Sequence, residues 1–272
     1  DPRKPFFLYM AHYAVHIPIN KDKRYYQKYL DKGMDPIEAA YAGLIEGMDK
    51  SLGDLMNYLE ENKLTDNTII IFMSDNGGLS AAGTGRGGEA NTHNLPLKSG
   101  KGSAYEGGIR EPMIVSWPGT TKKESVREDY LIIEDFYPTI LEMAQVKRVK
   151  TVQPVDGKSF IPLLTGKGKN PSLNRALYWN TPNNWGPTGP GIAATCAIRQ
   201  GDWKLIYYYE TGAKELFNLK DDLGEATNLA LTNPEKVNEL SGKLGKFLRK
   251  SGGQRPSFKA TGKPAPWPDE TF

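Results

Sequence analysis

The sequence predicts an α/β fold in which a parallel sheet with helices precedes a small antiparallel sheet. Residues 69–73 (IIIFM) form a short, unbroken apolar run, which is typical of a strand buried on both faces. Residues 37–59 carry apolar side chains at spacings of three and four, which predicts a long amphipathic helix before that strand. From residue 176 onward, short β-rich segments alternate with glycine-containing turns, the pattern of an antiparallel meander.

The N-terminal run PFFLYM, residues 5–10, predicts another buried strand. A strand, a helix and a strand in succession make a βαβ unit, and this is why we expect a parallel sheet. The long helix should begin at Asp35 and Pro36, a capping residue followed by proline at the first helical position, and should end near residue 61.

His16 follows the predicted N-terminal strand. A histidine at the carboxyl end of a strand can donate to an anion or serve as a general acid. The alternative is a histidine whose ring is satisfied by backbone partners, and the residues alone leave both interpretations open. We interpret His12 as a supporting or structural residue.

Asp75 and Asn76 follow the strand of residues 69–73 and precede two glycines. In open α/β sheets, ligands bind just beyond the carboxyl ends of strands, and carboxylate and amide oxygens are the ligands that Ca²⁺ or Mg²⁺ prefers. The alternative is a plain β-turn, since Asp-Asn-Gly is good turn chemistry anywhere. The sequence therefore indicates a metal site without excluding a simple turn.

Two further groups follow in a glycine-rich stretch. Lys101 stands between Gly100 and Gly102, where its ammonium could hold an oxyanion, although a solvated surface lysine is the commoner case. We interpret Glu106 and Arg110 as a structural ion pair. Residues 79–94, which include His93, form a loop in which we expect substrate specificity to reside.

The sequence predicts two domains. Strand 113–117 and helix 134–143 complete the first domain, and turn signals place a boundary that gives domains 1–168 and 169–272. The second domain should hold the small antiparallel sheet, a final helix that opens at Asn233 and Pro234, and an irregular tail from residue 251.

Composition excludes several classes of protein. A net charge of +3 is too close to balance to argue for nucleic acid or a membrane surface as partner, and no apolar window is long enough to cross a bilayer. One cysteine allows no internal disulfide. The chain has neither an initiator methionine nor a signal peptide, so we expect it to be part of something longer.

The chain resembles the sulfatases, the formylglycine-dependent sulfuric ester hydrolases of the alkaline phosphatase superfamily. The resemblance rests on motifs in family order: FFLYMAHYAVHIP, EGMDKSLGDLMNYLEENKLTDNTIIIFMSDNGG, LPLKSGKGSAYEGGIREPMIVSWPG, DFYPTILEMA, DGKSFIPLL, AIRQGDWKLIYY and ELFNLKDDLGEATNLA. It implies the C-terminal part of a large mixed, mostly parallel sheet flanked by helices, followed by a small antiparallel sheet with a helix. It also implies that Asp75 and Asn76 complete a divalent metal site, that His16 contacts the sulfate and protonates the leaving oxygen, and that Lys101 binds the sulfate.

One departure from the family pattern matters. Sulfatases carry a Cys/Ser-x-Pro/Ala-x-Arg motif whose first residue becomes the formylglycine nucleophile, and the sequence contains no such motif. Cys196, in TCAIRQ, lacks the following proline and is interpreted as a buried structural cysteine. The resemblance thus implies that a missing N-terminal segment supplies the formylglycine and the remaining aspartates.

These expectations define a function. The chain should be a portion of a sulfatase that uses Ca²⁺, with Mg²⁺ as the alternative, to hydrolyse sulfate esters of a carbohydrate or aryl alcohol. The intact protein should be periplasmic or secreted, and the chain alone should be inactive. Two alternatives are a phosphodiesterase or phosphonate hydrolase of the same superfamily and an inactive binding module.

Overall fold

The computed structural model describes residues 4–81, 94–184 and 186–270. They form two compact units, one within residues 4–68 and the other within residues 69–81, 94–184 and 186–270. Residues on both sides of position 168 belong to the second unit, and the boundary that the sequence suggests there stays a prediction.

The first unit contains helices α1, Tyr26–Leu30, and α2, Pro36–Glu61. The Asp35 carboxylate accepts a hydrogen bond of 2.8 Å from the backbone N–H of Ile37, and Pro36 occupies the first turn. The predicted helix start is therefore confirmed. The Tyr29 hydroxyl donates to the Glu46 carboxylate over 2.9 Å and joins α1 to α2, and a 3₁₀ turn, Thr65–Asn67, follows.

The apolar run of residues 5–10 belongs to no strand in the part of the chain that the structure describes. Its side chains are exposed, with Phe7 at 74% and Tyr9 at 83%. An extended segment becomes a strand only when a neighbouring backbone completes its hydrogen bonds. The predicted βαβ unit is therefore not formed among the described residues.

The second unit opens with strands β1, Ile70–Met73, and β2, Met113–Ser116, which pair antiparallel from Ile70↔Ser116 to Met73↔Met113. The α/β class is confirmed, but a mostly parallel sheet is not found in the described residues. The prediction assumed that β1 pairs with a parallel neighbour, whereas its partner among the described residues, β2, runs antiparallel to it.

Three short helices belong to this unit: α3, Glu106–Ile109, which precedes β2, and α4, Phe136–Met143, and α5, Ile161–Thr165, which follow it. A 3₁₀ turn, Ile133–Asp135, leads into α4. The buried Asp135 carboxylate accepts from the Arg175 guanidinium at 2.7 and 2.8 Å and from the Lys158 backbone N–H at 2.8 Å. Asp135 thereby joins α4 to the chain that enters the second sheet.

The second sheet is antiparallel, with four strands in chain order: β3, Ala176–Thr181, β4, Thr195–Gln200, β5, Trp203–Tyr208, and β6, Lys214–Asn218. Gly201 has a φ of +60° and turns β4 into β5, as the sequence predicts. Helix α6, Pro234–Ser251, packs its apolar face on one side of the sheet. The meander and the final helix are confirmed.

The core of this region unites the sheet, α6 and part of the tail. Its buried members include Cys196, Ile198, Leu205, Tyr207, Leu216, Val237, Leu240, Leu244, Leu248, Ala265 and Trp267. Cys196 is 1% exposed, and burial raises the pKa of its thiol to about 12, which confirms a buried structural cysteine. None of the helices in the described residues is long and apolar enough to span a membrane.

Candidate functional site

Asp75 and Asn76 stand at the carboxyl end of β1. The Ser74 backbone N–H donates to the Pro112 carbonyl over 3.3 Å, and the Ser74 hydroxyl donates to the Asn76 carbonyl over 2.9 Å. Asp75 is exposed and Asn76 is partly buried. Strand β1 thus ends by presenting an accessible carboxylate next to an amide.

Close backbone packing requires glycine at positions 77 and 107. A Cβ atom on Gly77 would lie 1.8 Å from the Gly107 carbonyl oxygen, and one on Gly107 would lie 2.3 Å from the Lys98 carbonyl oxygen. The Gly77 N–H donates to the Gly108 carbonyl over 3.2 Å. We call the backbone of Gly77, Gly78, Gly100, Gly107 and Gly108 the glycine cradle.

The backbone of Lys101 is hydrogen-bonded to the same cradle. Its backbone N–H donates to the Gly78 carbonyl over 3.0 Å, and a Cβ atom on Gly100 would lie 2.2 Å from that oxygen. The Asn94 side-chain amide donates to the carbonyls of Gly78 and Ser99, each over 2.9 Å. The structure therefore brings the segment of Lys101 against the segment of Asp75 and Asn76, as the sequence interpretation requires.

Glu111 lies beside Asp75 and was not identified from the sequence. The β1–β2 register, continued past Met73↔Met113, sets Glu111 opposite Asp75. Burial, together with the negative charge of Asp75, raises the pKa of Glu111 to about 7. Its Oε1 atom is buried without a hydrogen-bond partner among the residues that the structure describes. The signal that could have revealed it is its position directly before β2, but this signal requires the antiparallel pairing to be known.

The oxygen donors of Asp75, Asn76 and nearby Glu111 suit a hard divalent cation in kind. These three side chains supply too few oxygen ligands for a complete site, because Ca²⁺ takes six to eight. Within the described ranges, no three side chains of His, Cys, Asp or Glu cluster as a metal site. The residues present therefore fit one side of a cation site and not a complete one.

His16 belongs to the first unit. Its Nδ1 atom lies 2.7 Å from the Ile17 carbonyl oxygen, so Nδ1 carries the proton that this contact needs. Its backbone N–H donates to the Tyr13 carbonyl over 2.9 Å, and the ring is exposed. Nε2 is then the ring nitrogen that does not take part in this contact. His12 is bonded to the Ser51 hydroxyl on α2 at 3.0 Å, as a supporting residue would be.

His93 lies outside the described residues, as do most of residues 79–94, for which the sequence predicts a loop. The interpretation of Glu106 and Arg110 as an ion pair is confirmed, with Arg110 Nη1 3.7 Å from Glu106 Oε2. Sequence reasoning missed the stronger partner of Glu106, which is the fully buried Lys204 on β5 at 3.0 Å. The roles of His16, Asp75, Asn76 and Lys101 stay predictions.

Comparison with known families gives two matches. The family model described as Sulfatase matches residues 1–146, and the model described as N-sulphoglucosamine sulphohydrolase, C-terminal, matches residues 100–253. A protein of Formosa agariphila named Sulfatase is 36% identical in an alignment 264 residues long, which covers 90% of this chain and 46% of that protein.

Two solved structures share the fold. Ps i-CgsB in complex with k-i-k-neocarrahexaose has a TM-score of 0.77 and 28% identity, over 94% of this chain and 52% of that one. A protein solved with its substrate D-glucosamine-2-N,6-O-disulfate has a TM-score of 0.60 and 27% identity, over 84% of this chain and 42% of that one. The chain spans about half the length of these relatives.

Proposed function

The chain belongs to the sulfatase family, and we propose on that basis that it forms part of an enzyme that hydrolyses sulfate esters of carbohydrates. The observation that carries the proposal is the glycine cradle, on which the Asp75–Asn76 segment and the Lys101 segment meet through the Lys101 N–H bond to Gly78. The two solved relatives described above, one in complex with neocarrahexaose and one with a sulfated glucosamine, support a sulfated sugar as substrate. Aryl sulfates are the second substrate class.

In this proposal Asp75 and Asn76 hold a divalent cation through their side-chain oxygens, with Ca²⁺ preferred and Mg²⁺ as the alternative. When bound, such a cation supplies positive charge that favours an ionised attacking oxygen and a charged sulfate. Lys101 contributes an ammonium to a sulfate oxygen, where it stabilises negative charge that grows in the transition state.

His16 acts on the leaving group. With Nδ1–H engaged by the Ile17 carbonyl, the imidazolium carries its second proton on Nε2. As the bond between sulfur and the ester oxygen breaks, Nε2 gives that proton to the oxygen, and the alcohol leaves neutral. His93 contacts the sugar in this proposal, because residues 79–94 are predicted from the sequence to form a loop and loops on a rigid scaffold carry recognition.

We further propose that a segment N-terminal to this chain supplies the formylglycine nucleophile and the carboxylates that complete the cation site. The support is the absence from the sequence of a Cys/Ser-x-Pro/Ala-x-Arg motif, together with a span of about half the relatives' length. In this proposal the complete protein works in the periplasm or outside the cell, where sulfated polysaccharides are met.

Parallel assays test the reaction class. A protein that includes the N-terminal segment is offered sulfate and phosphate esters of one aryl alcohol, and then sulfated mono- and oligosaccharides, with and without Ca²⁺. We expect release of sulfate, stimulated by Ca²⁺, and slower release of phosphate. Faster hydrolysis of the phosphate ester would replace the proposal with a phosphodiesterase, and no turnover of either ester would favour a binding module.

The same assays on the 272-residue chain alone test the origin of the nucleophile. We expect no turnover and weak Ca²⁺ binding by calorimetry, because Asp75 and Asn76 offer too few oxygens. The purity of the chain is checked by intact mass. Turnover by a chain shown to lack any N-terminal peptide would place the nucleophile within these 272 residues.

A further inference from the structure

A fully buried lysine lies between two buried glutamates in the second unit. Lys204 and Glu225 are 0% exposed and Glu106 is 1% exposed. Lys204 Nζ lies 3.0 Å from Glu106 Oε1 and 2.8 Å from Glu225 Oε1. We call these three residues the Lys204 cluster. Lysine and glutamate are almost never fully buried unless they are paired with an opposite charge, so the pairing within the cluster is what allows these three side chains to be buried.

The cluster joins three separate parts of the chain. Lys204 belongs to β5, Glu106 opens α3, and Glu225 lies in the loop after β6. The second oxygen of Glu225 accepts the backbone N–H of Glu106 over 2.6 Å. Arg199 Nη1 approaches the second oxygen of Glu106 at 3.5 Å. The side chain of Glu106 is therefore held by Lys204 and Arg199 of the antiparallel sheet, and its backbone N–H is held by Glu225 of the loop after β6.

Glu106 is directly followed by the glycine cradle. The Gly107 N–H donates to the Lys98 carbonyl over 3.0 Å, and the Gly108 carbonyl accepts from Gly77. Gly107 is packed so closely that a Cβ atom would lie 2.3 Å from the Lys98 carbonyl oxygen. Glu106 is thus bonded in sequence to a backbone that has no spare space and that is hydrogen-bonded to the segments preceding Lys101 and following Asp75, so we expect a displacement of Glu106 to reach both segments.

Stability alone does not account for the cluster. Taking charges out of water is costly, and in other proteins apolar residues of similar volume can replace a buried ion pair without loss of stability. Charged groups differ from apolar ones in that their bonds are directional, so they select one position for the backbone that they hold.

We infer that the Lys204 cluster is a positioning device for the glycine cradle. It sets the backbone on which Lys101 and the Asp75–Asn76 pair are presented. Lys204, Glu106 and Glu225 are positioning residues and touch no substrate. The inference deepens the proposed function and rests on it only for the consequence on turnover.

The test uses a variant in which the cluster is uncharged, Lys204→Met with Glu106→Gln and Glu225→Gln, and amide hydrogen exchange resolved to single residues. We expect exchange of the Gly77, Lys101 and Gly107 amides to rise by about tenfold or more, because their local opening becomes easier, while the amides of β4 and β5 keep their protection. Glu225→Gln alone, which keeps an oxygen to accept the Glu106 N–H, is the milder second variant if the triple variant does not fold.

The control removes a largely buried ion pair of the same unit, Asp135→Asn with Arg175→Met, whose hydrogen bonds in the described residues join α4 to the start of β3 and not to the cradle. It should leave the exchange of the three cradle amides unchanged. Unchanged exchange in a folded cluster variant would overturn the inference, and so would an equal rise across the whole unit, which would indicate a general loss of stability.

A turnover measurement separates this inference from the proposed function. In a parent protein that hydrolyses sulfate esters, the cluster variant should lose at least about tenfold in kcat while the control loses little. If the parent hydrolyses no sulfate ester, the proposed function fails, and the exchange experiment still decides whether the Lys204 cluster positions the cradle.

Discussion

The backbone N–H of Lys101 donates a hydrogen bond of 3.0 Å to the carbonyl oxygen of Gly78. This bond ties a lysine to a segment that ends β1 more than twenty positions earlier in the chain. It fixes the lysine backbone independently of its side chain, so the ammonium can be removed with the cradle still intact.

Lys101→Ala should lower kcat on sulfate esters by about two orders of magnitude or more, because one partner of the developing oxyanion is lost. The thermal unfolding midpoint should change little, since the N–H bond to Gly78 remains. Lys167→Ala is a matched control, since Lys167 is also flanked by glycines but is exposed. Full activity in a folded Lys101→Ala protein would reject the role.

Gly77→Ala tests the cradle itself. The added methyl group would lie 1.8 Å from the Gly107 carbonyl oxygen, so the backbone must move, and we expect a loss of at least about 2 kcal/mol in the free energy of unfolding. Gly242→Ala is the control. Gly242 lies on α6, a Cβ atom there would have no neighbouring atom within 4 Å, and the substitution should stabilise the protein by roughly 0.5–1 kcal/mol. Urea unfolding measures both, and similar values for the two variants would contradict the packing.

Structural features that depend on neighbouring residues, such as helix caps and hairpin turns, are predicted well from the sequence. Features that depend on residues distant in the chain, such as strand pairing, are not. Asp35 caps α2 through its own neighbours, and Gly201 turns a hairpin within two residues, so both are readable from a short window. Residues 5–10 have the composition of a strand, but a strand also needs a partner backbone, and composition says nothing about that partner.

The candidate site shows the same division. Asp75, Asn76 and Lys101 could be proposed from their neighbours in sequence. Glu111 and Lys204 could not, because each is defined by a residue that only the fold brings near, Asp75 for the former and Glu106 for the latter. Lys204 stands in a strand where an isolated charge would ordinarily indicate the solvent side.

His16→Ala should impair esters of poorly leaving alcohols by about two to four orders of magnitude, and activated aryl esters much less, because the latter need little protonation. A plot of log kcat against the pKa of the leaving alcohol should steepen in the variant. His12→Ala, which removes a contact with Ser51, is the control and should leave the slope unchanged. Equal losses on all esters would limit His16 to sulfate binding.

Cys196 should resist thiol reagents in the folded protein. Burial raises the pKa of its thiol to about 12, so at pH 8 the reactive thiolate is on the order of one in ten thousand molecules. Iodoacetamide should label it only after unfolding in urea, as read by intact mass. Lys220→Cys supplies an exposed thiol for comparison. Native labelling of Cys196 at a rate near that of the exposed thiol would contradict its placement in the core.

Lys204→Met should destabilise the protein, and more so at high pH than at low pH. In the parent, burial by itself raises the pKa of Glu106, but Lys204, Arg199 and Arg110 hold that pKa below its usual value. Burial also raises the pKa of Glu225, against the opposing effect of Lys204. Without the lysine, two carboxylates remain buried close to each other, and we expect a loss of about 3–5 kcal/mol near neutral pH.

The sign of the pH dependence follows from these groups. In the Lys204→Met variant, the Glu225 carboxylate loses the ammonium that it is paired with, and the Glu106 carboxylate keeps only Arg199 and Arg110. The folded pKa of Glu225 therefore rises further above the unfolded value, and that of Glu106 rises as well. A carboxyl of this kind favours folding while protonated and opposes it as pH rises through the unfolded pKa. Urea unfolding at pH 5 and pH 8 should therefore show a larger difference between parent and variant at pH 8. Lys243→Met, which removes a half-exposed lysine paired with Glu239, should show almost no difference at either pH. A Lys204→Met deficit that is equal at both pH values would mean that the two glutamates are not left charged in the core.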